Sequence, residues 1–255
     1  MADGRLKIDI RRNKILELLR EKGKVLVTDL SQELGVTAVT VRTDLDALEA
    51  DGRLERVQGG AILKPQPAAP GWNPGNEEDE KWVIARYTAE QLQDGCTLFI
   101  NSGSTTRCLA RALKRRSNLN VVTNSLAVAA ELGALPSVHV ILLGGEINVP
   151  YGFTFGEDAQ KQLQRYQADW AVLSVDGVSA AGGITTFHAE EAAVNRIMME
   201  RSRGILIVAD HTKIGRTGFT HLHGIDSSVR LITDGKCERE AVRELENKGM
   251  RVERA

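Results

Sequence analysis

The chain has 255 residues, of which 42% are hydrophobic, and its 33 Lys and Arg nearly balance its 34 Asp and Glu. We expect one large domain or two smaller ones, each with a real core. No apolar run approaches the roughly 20 residues that cross a bilayer, and residues 1–30 are charged throughout. We therefore predict neither a membrane span nor a secretory signal, and a cytoplasmic location.

A proline-rich segment divides the chain. Four of the six prolines lie between residues 65 and 74, and an acidic run follows at residues 77–80. Such a segment suits neither a helix nor a central strand. We predict an N-terminal domain over residues 7–62, a linker over 63–76 and a C-terminal domain over 77–255.

The N-terminal domain shows apolar residues at helical spacing, which predicts three helices, the first over about residues 8–21. Thr28 and Thr37 are placed to cap the second and third helices, which a three-residue turn beginning at Gly35 separates. Short strands on either side of residues 58–60 predict a hairpin. Three helices and a hairpin form a winged helix-turn-helix, whose third helix enters the major groove of DNA.

Several side chains of this domain are candidates for DNA contacts. Arg42 could form a bidentate pair with a guanine edge, while Thr37, Thr40 and the hairpin residue Arg56 could contact phosphate groups. Taken alone, Arg42 would more readily be a solvated charge, but the spacing of the whole domain favours DNA binding. The predicted DNA-binding residues are Thr37, Thr40, Arg42, Thr43, Arg53, Arg56 and Gln58.

The C-terminal domain alternates short apolar runs with helical segments. Continuous apolar runs of this kind predict an α/β fold with a mostly parallel sheet that helices cover on both faces. Polar or glycine-rich loops follow each run, and ligands of such sheets bind beyond the carboxyl ends of the strands. The predicted strands are Thr97 to Ile100, Asn120 to Thr123, His139 to Leu143, Trp170 to Val175, Ile205 to Ala209 and Val229 to Thr233.

The loop at residues 102–106 lies between a predicted strand and a predicted helix. Free amides at the helix start, together with the loop's hydroxyl groups, could hold a phosphate group, and Gly103 allows a close approach. The loop lacks the Gly-Lys-Ser/Thr ending of a Walker loop, so ATP is not implied. The simpler alternative is an ordinary Ser/Thr cap on a buried helix.

The sequences of two segments, Thr37 to Glu49 and Gly52 to Ala61, resemble the N-terminal signature of DeoR-family transcriptional regulators. The ordered loops of the C-terminal domain resemble the effector domain of that family, which is similar to ribose-5-phosphate isomerase. The resemblance covers about residues 7–234. It implies a homo-oligomeric repressor, dimer or tetramer, of a carbohydrate-utilisation operon, which a phosphorylated sugar releases from operator DNA without any cofactor.

The resemblance also implies which residues bind the effector. The loop at residues 102–106 would hold the phosphate group, and the other residues would surround the sugar. Lys213 would balance the phosphate charge, although a surface lysine is the plain alternative. The implied effector-binding residues are Asn101, Ser102, Gly103, Ser104, Thr105, Thr106, Asn124, Gly145, Asp176, Glu191 and Lys213.

Four positions depart from the family pattern. Thr43 stands where a second arginine is usual and Gln58 where a histidine is usual, so the operator sequence is expected to differ. Asn101 replaces an aspartate and Asn195 a lysine, which changes the charge of the presumed pocket in opposite senses. These two changes indicate a different sugar, and the resemblance points to an amino-sugar phosphate.

An enzyme is the alternative function. Asp176, Glu191, Asp210 and Lys213 could supply acid and base groups for isomerising a sugar phosphate. A sugar isomerase has no need of a winged helix, however, so we predict a regulator and not an enzyme. The three cysteines form no C-x-x-C pair and the histidines no H-E-x-x-H motif, so no metal site is predicted.

Overall fold

A computed structural model describes residues 8, 11, 12, 14–16, 18, 19, 24–50, 54–63 and 80–255. The chain folds as two compact units, residues 1–68 and 69–255. Of the predicted linker over 63–76, only residue 63 is among the described residues, so the predicted domain boundaries stay a prediction. Within the described residues, no helix is both long and apolar enough to span a membrane.

In the first unit, the described residues between positions 8 and 19 are helical. A three-stranded antiparallel sheet follows in the order β1-β3-β2, and two helices lie between β1 and β2. This arrangement of helices and a hairpin is the predicted winged helix-turn-helix. Its elements are β1 (Lys24–Leu26), α1 (Val27–Leu34), α2 (Ala38–Ala50), β2 (Leu54–Val57) and β3 (Gly60–Leu63).

Of the two predicted helix caps, the structure has the one at Thr37 and lacks the one at Thr28. Thr37 caps α2, because its Oγ1 accepts a hydrogen bond from the amide of Thr40 at 3.2 Å. The prediction for Thr28 is wrong, since α1 already begins at Val27 and no side chain caps it. The reason is tertiary: β1 pairs with β3, and the amide of Val27 donates to the carbonyl of Gly59, which fixes the chain where the helix begins.

The first unit has its own core and one buried acid. Asp44 of α2 is buried, and it accepts hydrogen bonds from the Nε atoms of Arg11 at 2.5 Å and Arg12 at 3.0 Å. These ion pairs attach the N-terminal helical segment to α2. The core residues are Ile15, Leu16, Leu18, Leu19, Val25, Val27, Leu30, Val41, Leu45, Leu48, Leu54 and Ala61.

The second unit is built on a seven-stranded sheet in which every neighbouring pair is parallel. The six predicted strands are present, with ends that differ by at most three residues. The strands are β4 (Thr97–Ile100), β5 (Leu119–Thr123), β6 (Val138–Leu142), β9 (Ala168–Ser174), β12 (Ser202–Val208), β14 (Val229–Thr233) and β15 (Arg251–Arg254).

The strand order is β15-β14-β12-β9-β4-β5-β6. From β4 the chain proceeds outward to β5 and β6, then returns to β9 on the other side of β4 and proceeds to β12, β14 and β15. The order therefore reverses between β4 and β9. In open α/β sheets, the carboxyl ends of the strands at such a reversal border the crevice that binds ligands.

Helices cover both faces of the sheet, as the continuous apolar runs predict. In β4, Leu98 and Ile100 pack in one core with α3, α4 and α5, whereas Phe99 packs in the other with α6, α7 and α8. Successive side chains of a strand point to opposite faces, so both sets must be apolar. The helices are α3 (Glu80–Gln91), α4 (Ser104–Ala112), α5 (Leu126–Gly133), α6 (Glu157–Leu163), α7 (Ala189–Glu200) and α8 (Arg239–Asn247).

Two small antiparallel elements add to this sheet. The hairpin of β7 and β8 follows β6, and a three-stranded sheet has the order β10-β11-β13. Neither was predicted, because each of these short strands contains polar residues or glycine and forms no continuous apolar run. Their strands are β7 (Glu146–Asn148), β8 (Phe153–Phe155), β10 (Gly177–Ser179), β11 (Gly183–Thr186) and β13 (Thr220–His223).

Candidate functional site

The outward surface of α2 carries four of the predicted DNA-binding residues. Thr37, Arg42 and Thr43 are exposed, and Thr40 is half-buried. Among the described residues, the guanidinium of Arg42 has no hydrogen-bond or ion-pair partner. The outward side of this helix thus presents a free cation beside its capped N-terminus, as a helix that enters the major groove would.

The hairpin of β2 and β3 carries two more predicted residues. Gln58 is exposed in the turn. The guanidinium of Arg56 bonds Asp46 of α2 and donates to the carbonyls of Arg42 at 3.4 Å and Gly60 at 3.3 Å. Arg56 thus joins the hairpin to α2 instead of standing free. Arg53, the remaining predicted residue, lies outside the described residues.

In the second unit, Asn101 follows β4 at the point where the strand order reverses. Its side chain is fully buried, its Nδ2 donates to the carbonyl of Ser174 at 2.9 Å, and its Oδ1 accepts from the amide of Ser174 at 2.9 Å. Both polar atoms of the side chain therefore join the ends of β4 and β9. An aspartate could not make both bonds, because an ionised carboxylate has no donor.

The next residue, Ser102, connects this loop to α7. Its Oγ donates a hydrogen bond to Oε1 of Glu191, a buried carboxyl near the start of α7. Burial, together with the nearby charge of Asp176, raises the pKa of Glu191 to about 8, although the bond from Ser102 acts in the opposite direction. The carboxyl of Asp176 in turn accepts from Thr186 Oγ1 at 3.1 Å and the Phe187 amide at 2.9 Å.

The loop at residues 102–106 is not an ordinary Ser/Thr cap. Gly103 occupies the N-cap position of α4, and no side chain caps this helix. Thr106 turns its hydroxyl back to the carbonyls of Asn101 and Gly103, Ser104 is exposed, and Thr105 is buried. The first amides of α4 therefore remain available for an anion, as the positive end of a helix favours.

Gly103 is required here by its neighbours. A Cβ at this position would lie 2.6 Å from Cβ of Ser174. Any side chain would therefore push the loop away from β9. Close packing of the loop on β9 thus explains this glycine without reference to a ligand.

Asn124 and Gly145 belong to a second group of residues, under the hairpin of β7 and β8. The buried Asn124 donates from Nδ2 to the carbonyl of Thr154 at 3.2 Å, and its Oδ1 has no partner among the described residues. A Cβ on Gly145 would lie 2.4 Å from the carbonyl oxygen of Phe155. Thr154 was missed by the sequence analysis, and only the recognition of this hairpin could have indicated it.

Lys213 lies in a short 3-10 helix after β12, and within the part of the chain that the structure describes its side chain makes no hydrogen bond or ion pair. The neighbouring Asp210 pairs with Lys81 at 3.1 Å. Burial tends to raise the pKa of Asp210, but the hydrogen bond from Thr212 and the charge of Lys81 bring it below its ordinary value. Lys213 follows β12, whereas Ser102 follows β4, and β9 lies between these two strands. Neighbouring strands are about 4.8 Å apart, so β12 and β4 are about 10 Å apart.

Asn195 lies one helical turn after Glu191 on α7. It is fully buried, and neither atom of its amide has a hydrogen-bond partner among the described residues. Burying an unpaired amide costs free energy, which a polar ligand or a water molecule could recover. Asn195 was singled out from the sequence only as a departure from a family pattern.

The structure thus brings the predicted effector residues into three groups along one edge of the sheet. Asn101, Ser102, Asp176 and Glu191 meet at the reversal of strand order, Asn124 and Gly145 lie under the hairpin, and Lys213 lies beside Asp210. No hydrogen bond or ion pair joins one of these groups to another among the described residues. No cluster of three His, Cys, Asp or Glu suited to a metal ion is found among them either.

The fold defines a class of protein: a winged helix-turn-helix unit followed by an α/β unit built on a parallel sheet. Family models agree, since a DeoR-like helix-turn-helix domain matches residues 11–66 and a DeoR C-terminal sensor domain matches residues 76–235. The chain belongs to the DeoR family of transcriptional regulators, and the predicted membership is confirmed.

Curated relatives are consistent with this. The glycerol-3-phosphate regulon repressor of Escherichia coli K12 is 33% identical over 88% of this chain and 90% of its own length. A putative aga operon transcriptional repressor of Escherichia coli O157:H7 is 32% identical over 87% of this chain and 83% of its own length. The prediction of a regulator and not an enzyme is confirmed by these relatives.

Solved structures match more distantly. The full-length sorbitol operon regulator SorC of Klebsiella pneumoniae is 14% identical, covers 93% of this chain and 99% of its own, and has a TM-score of 0.44. Ribose-5-phosphate isomerase A of Methanocaldococcus jannaschii is 15% identical, covers 54% of this chain and 55% of its own, and has a TM-score of 0.40.

Proposed function

We propose that the chain represses a carbohydrate-utilisation operon and is released from its operator by a phosphorylated sugar. The relatives named above support the first part, because their names describe repressors of a regulon and an operon. The observation that carries the second part is the loop at residues 102–106, which places the uncapped start of α4 at the reversal of strand order. The protein would act as a dimer or tetramer in the cytoplasm.

In the effector complex, the phosphate group binds the amides at the start of α4 and the exposed hydroxyl of Ser104. Lys213 supplies the balancing cation. The sugar lies toward Asn124, Asp176 and Glu191. The unpaired amide atoms of Asn124 and Asn195 support a polyhydroxy or amino-sugar ligand, because such a ligand offers both donors and acceptors.

For release to follow, the effector must bind the DNA-free arrangement more tightly than the DNA-bound one. A near-complete switch requires a preference on the order of 10⁴-fold. Two recognition helices related by a twofold axis would lie about one helical turn apart on the DNA. An effector that binds both arrangements equally would not cause release.

The effector is tested by a thermal-shift screen of phosphorylated sugars, amino sugars included, followed by operator-release assays on each hit. At a concentration near 100 times Kd, a ligand stabilises by about 2.7 kcal/mol, so the melting temperature rises by several degrees. We expect a hit to release operator DNA without being consumed. Steady conversion of the hit into an isomer would refute the proposal.

The position of the phosphate is tested with Gly103→Ala, whose Cβ would meet Ser174. We expect this variant to fold but to lose the thermal shift with the hit. Gly133→Ala is the matched control, because a Cβ at Gly133, the last residue of α5, meets nothing within 4 Å. Equal thermal shifts in both variants would place the phosphate elsewhere.

On the DNA side, Arg42→Ala should weaken operator binding by about 1–3 kcal/mol and relax the preference for one base pair. Footprinting and binding to single-base variants of the operator measure both effects. Arg115→Ala removes another exposed arginine, from the second unit, and should change neither. An unchanged footprint for Arg42→Ala would contradict the proposed role of α2.

A further inference from the structure

The recognition helix α2 carries an unusual exposed side chain, Val39. This residue is 68% exposed, whereas Val41, Leu45 and Leu48 of the same helix are 0–3% exposed. Val39, Arg42 and Thr43 lie three and four positions apart, so they share one outward side of the helix. An apolar group therefore stands beside the arginine that would read a guanine.

The hydroxyl groups on this surface are largely occupied. Thr43 donates its hydroxyl proton to the carbonyl of Val39 at 3.1 Å. Thr37 and Thr40 bond each other through their hydroxyls at 2.9 Å, so one proton of that pair is also used. A phosphate oxygen requires a donor, and Thr43 no longer offers one. Its hydroxyl oxygen can still accept a hydrogen bond, and its methyl group remains for an apolar contact.

Val39 and Thr43 therefore present adjacent methyl groups, which we call the methyl strip, beside the guanidinium of Arg42. In the major groove only thymine displays an apolar group, its 5-methyl, and small apolar side chains recognise thymine through it. Two methyl groups that lie one helical turn apart can contact one thymine or two neighbouring thymines. A second arginine at position 43 would instead favour a second guanine.

We propose that the methyl strip reads the 5-methyl group of thymine next to the guanine that Arg42 reads. The inference rests on the proposed entry of α2 into the major groove. It makes Val39 a specificity-determining residue and gives Thr43 an apolar contact with the base. Val39 contacts the base itself, so its effect is confined to one or two positions of the operator.

The test uses an operator selected from random duplexes by the full-length chain. Each thymine is replaced singly by deoxyuridine, which lacks only the 5-methyl group, and Kd is measured by fluorescence anisotropy. Since a buried methyl is worth about fourfold in affinity, we expect a loss of about fourfold at one or two thymines of each half-site. Val39→Ala or Thr43→Ser should reduce that loss to less than twofold.

Val149→Ala is the matched control, because Val149 is 71% exposed in the second unit. It should keep the full deoxyuridine effect, and all three variants should melt as the parent does. The inference is overturned if no thymine responds to deoxyuridine, or if both Val39→Ala and Thr43→Ser keep the full response. Failure of the chain to select any sequence would instead overturn the proposed function.

Discussion

At the scale of single residues, the loop after β4 contains a departure from the family pattern, Asn101, whose structural role the sequence did not indicate. Asn101 was expected to alter the charge of a ligand pocket. Its amide instead makes two hydrogen bonds to the backbone of Ser174, so it joins β4 to β9. The carboxyl that contacts this loop is the buried Glu191, which accepts a hydrogen bond from Ser102 and keeps its proton below about pH 8.

Glu191 should make the stability of the second unit depend on pH. Its pKa is raised from an ordinary 4.5 to about 8 by burial, so between these values the folded chain keeps a proton that the unfolded chain has lost. The contribution of Glu191 to stability is therefore fully present below about pH 4.5 and is lost as the pH rises toward 8. We expect the urea midpoint, followed by tryptophan fluorescence, to decline over this range.

Glu191→Gln should flatten this decline, because the amide does not ionise. Glu190→Gln, an exposed neighbour on the same helix, should keep the slope of the parent. The prediction would be contradicted if the Glu191→Gln and parent curves ran parallel from pH 5 to pH 8.

At the scale of elements, the hairpin and α2 form one assembly, and Arg56 connects them. Its side chain bonds Asp46, and its own amide donates to Glu49 Oε1 at 2.7 Å. The hairpin is thus attached to the helix that would enter the DNA. The sequence suggested that Arg56 contacts a phosphate group, whereas the structure shows it holding the hairpin on α2. These two roles predict different effects of salt on DNA binding when Arg56 is replaced.

If Arg56 acts through Asp46, Arg56→Ala should weaken operator binding without changing the slope of log K against log salt. Loss of one phosphate contact would reduce that slope by about 0.9 per subunit. Arg56→Lys keeps the charge but not the planar fork, so it should weaken binding as Arg56→Ala does. A reduced slope for alanine, with rescue by lysine, would show the phosphate contact instead.

At the scale of the whole molecule, the near balance of charge applies to the DNA-binding part as well. Residues 1–64 contain 12 Lys and Arg against 11 Asp and Glu, a net charge of +1. Three of those arginines, Arg11, Arg12 and Arg56, pair with aspartates inside the unit. The remaining cations are nearly balanced by the acidic side chains of this part, so one subunit offers DNA little net charge, and oligomerisation would have to multiply it.

We expect a shallow salt dependence for the intact protein. With about two or three phosphate contacts per subunit, a dimer should show a slope of log K against log salt no steeper than about −5. Binding measured between 50 and 300 mM salt, on operator and on unrelated duplex, provides the slope and the specificity ratio. A slope near −10 would mean that the chain has a basic surface outside these residues.

The sequence alone determined the class of fold and the family. Apolar periodicity, the Thr37 cap and the glycine turn are local signals, so the helices and the six main strands could be found without tertiary information. The polar loops after the strands were expected to meet at one edge of the sheet, and they do, because all strands of a parallel sheet end on the same side.

Only the tertiary structure decided which residues those loops contact. Asn101 and Ser174 are 73 positions apart, and Ser102 and Glu191 are 89 apart, so their contacts depend on the order β9-β4 in the sheet. The bond between Arg56 and Asp46 likewise requires the hairpin to fold back onto α2. Such pairings arise from strand order and packing, which a local pattern along the chain does not encode.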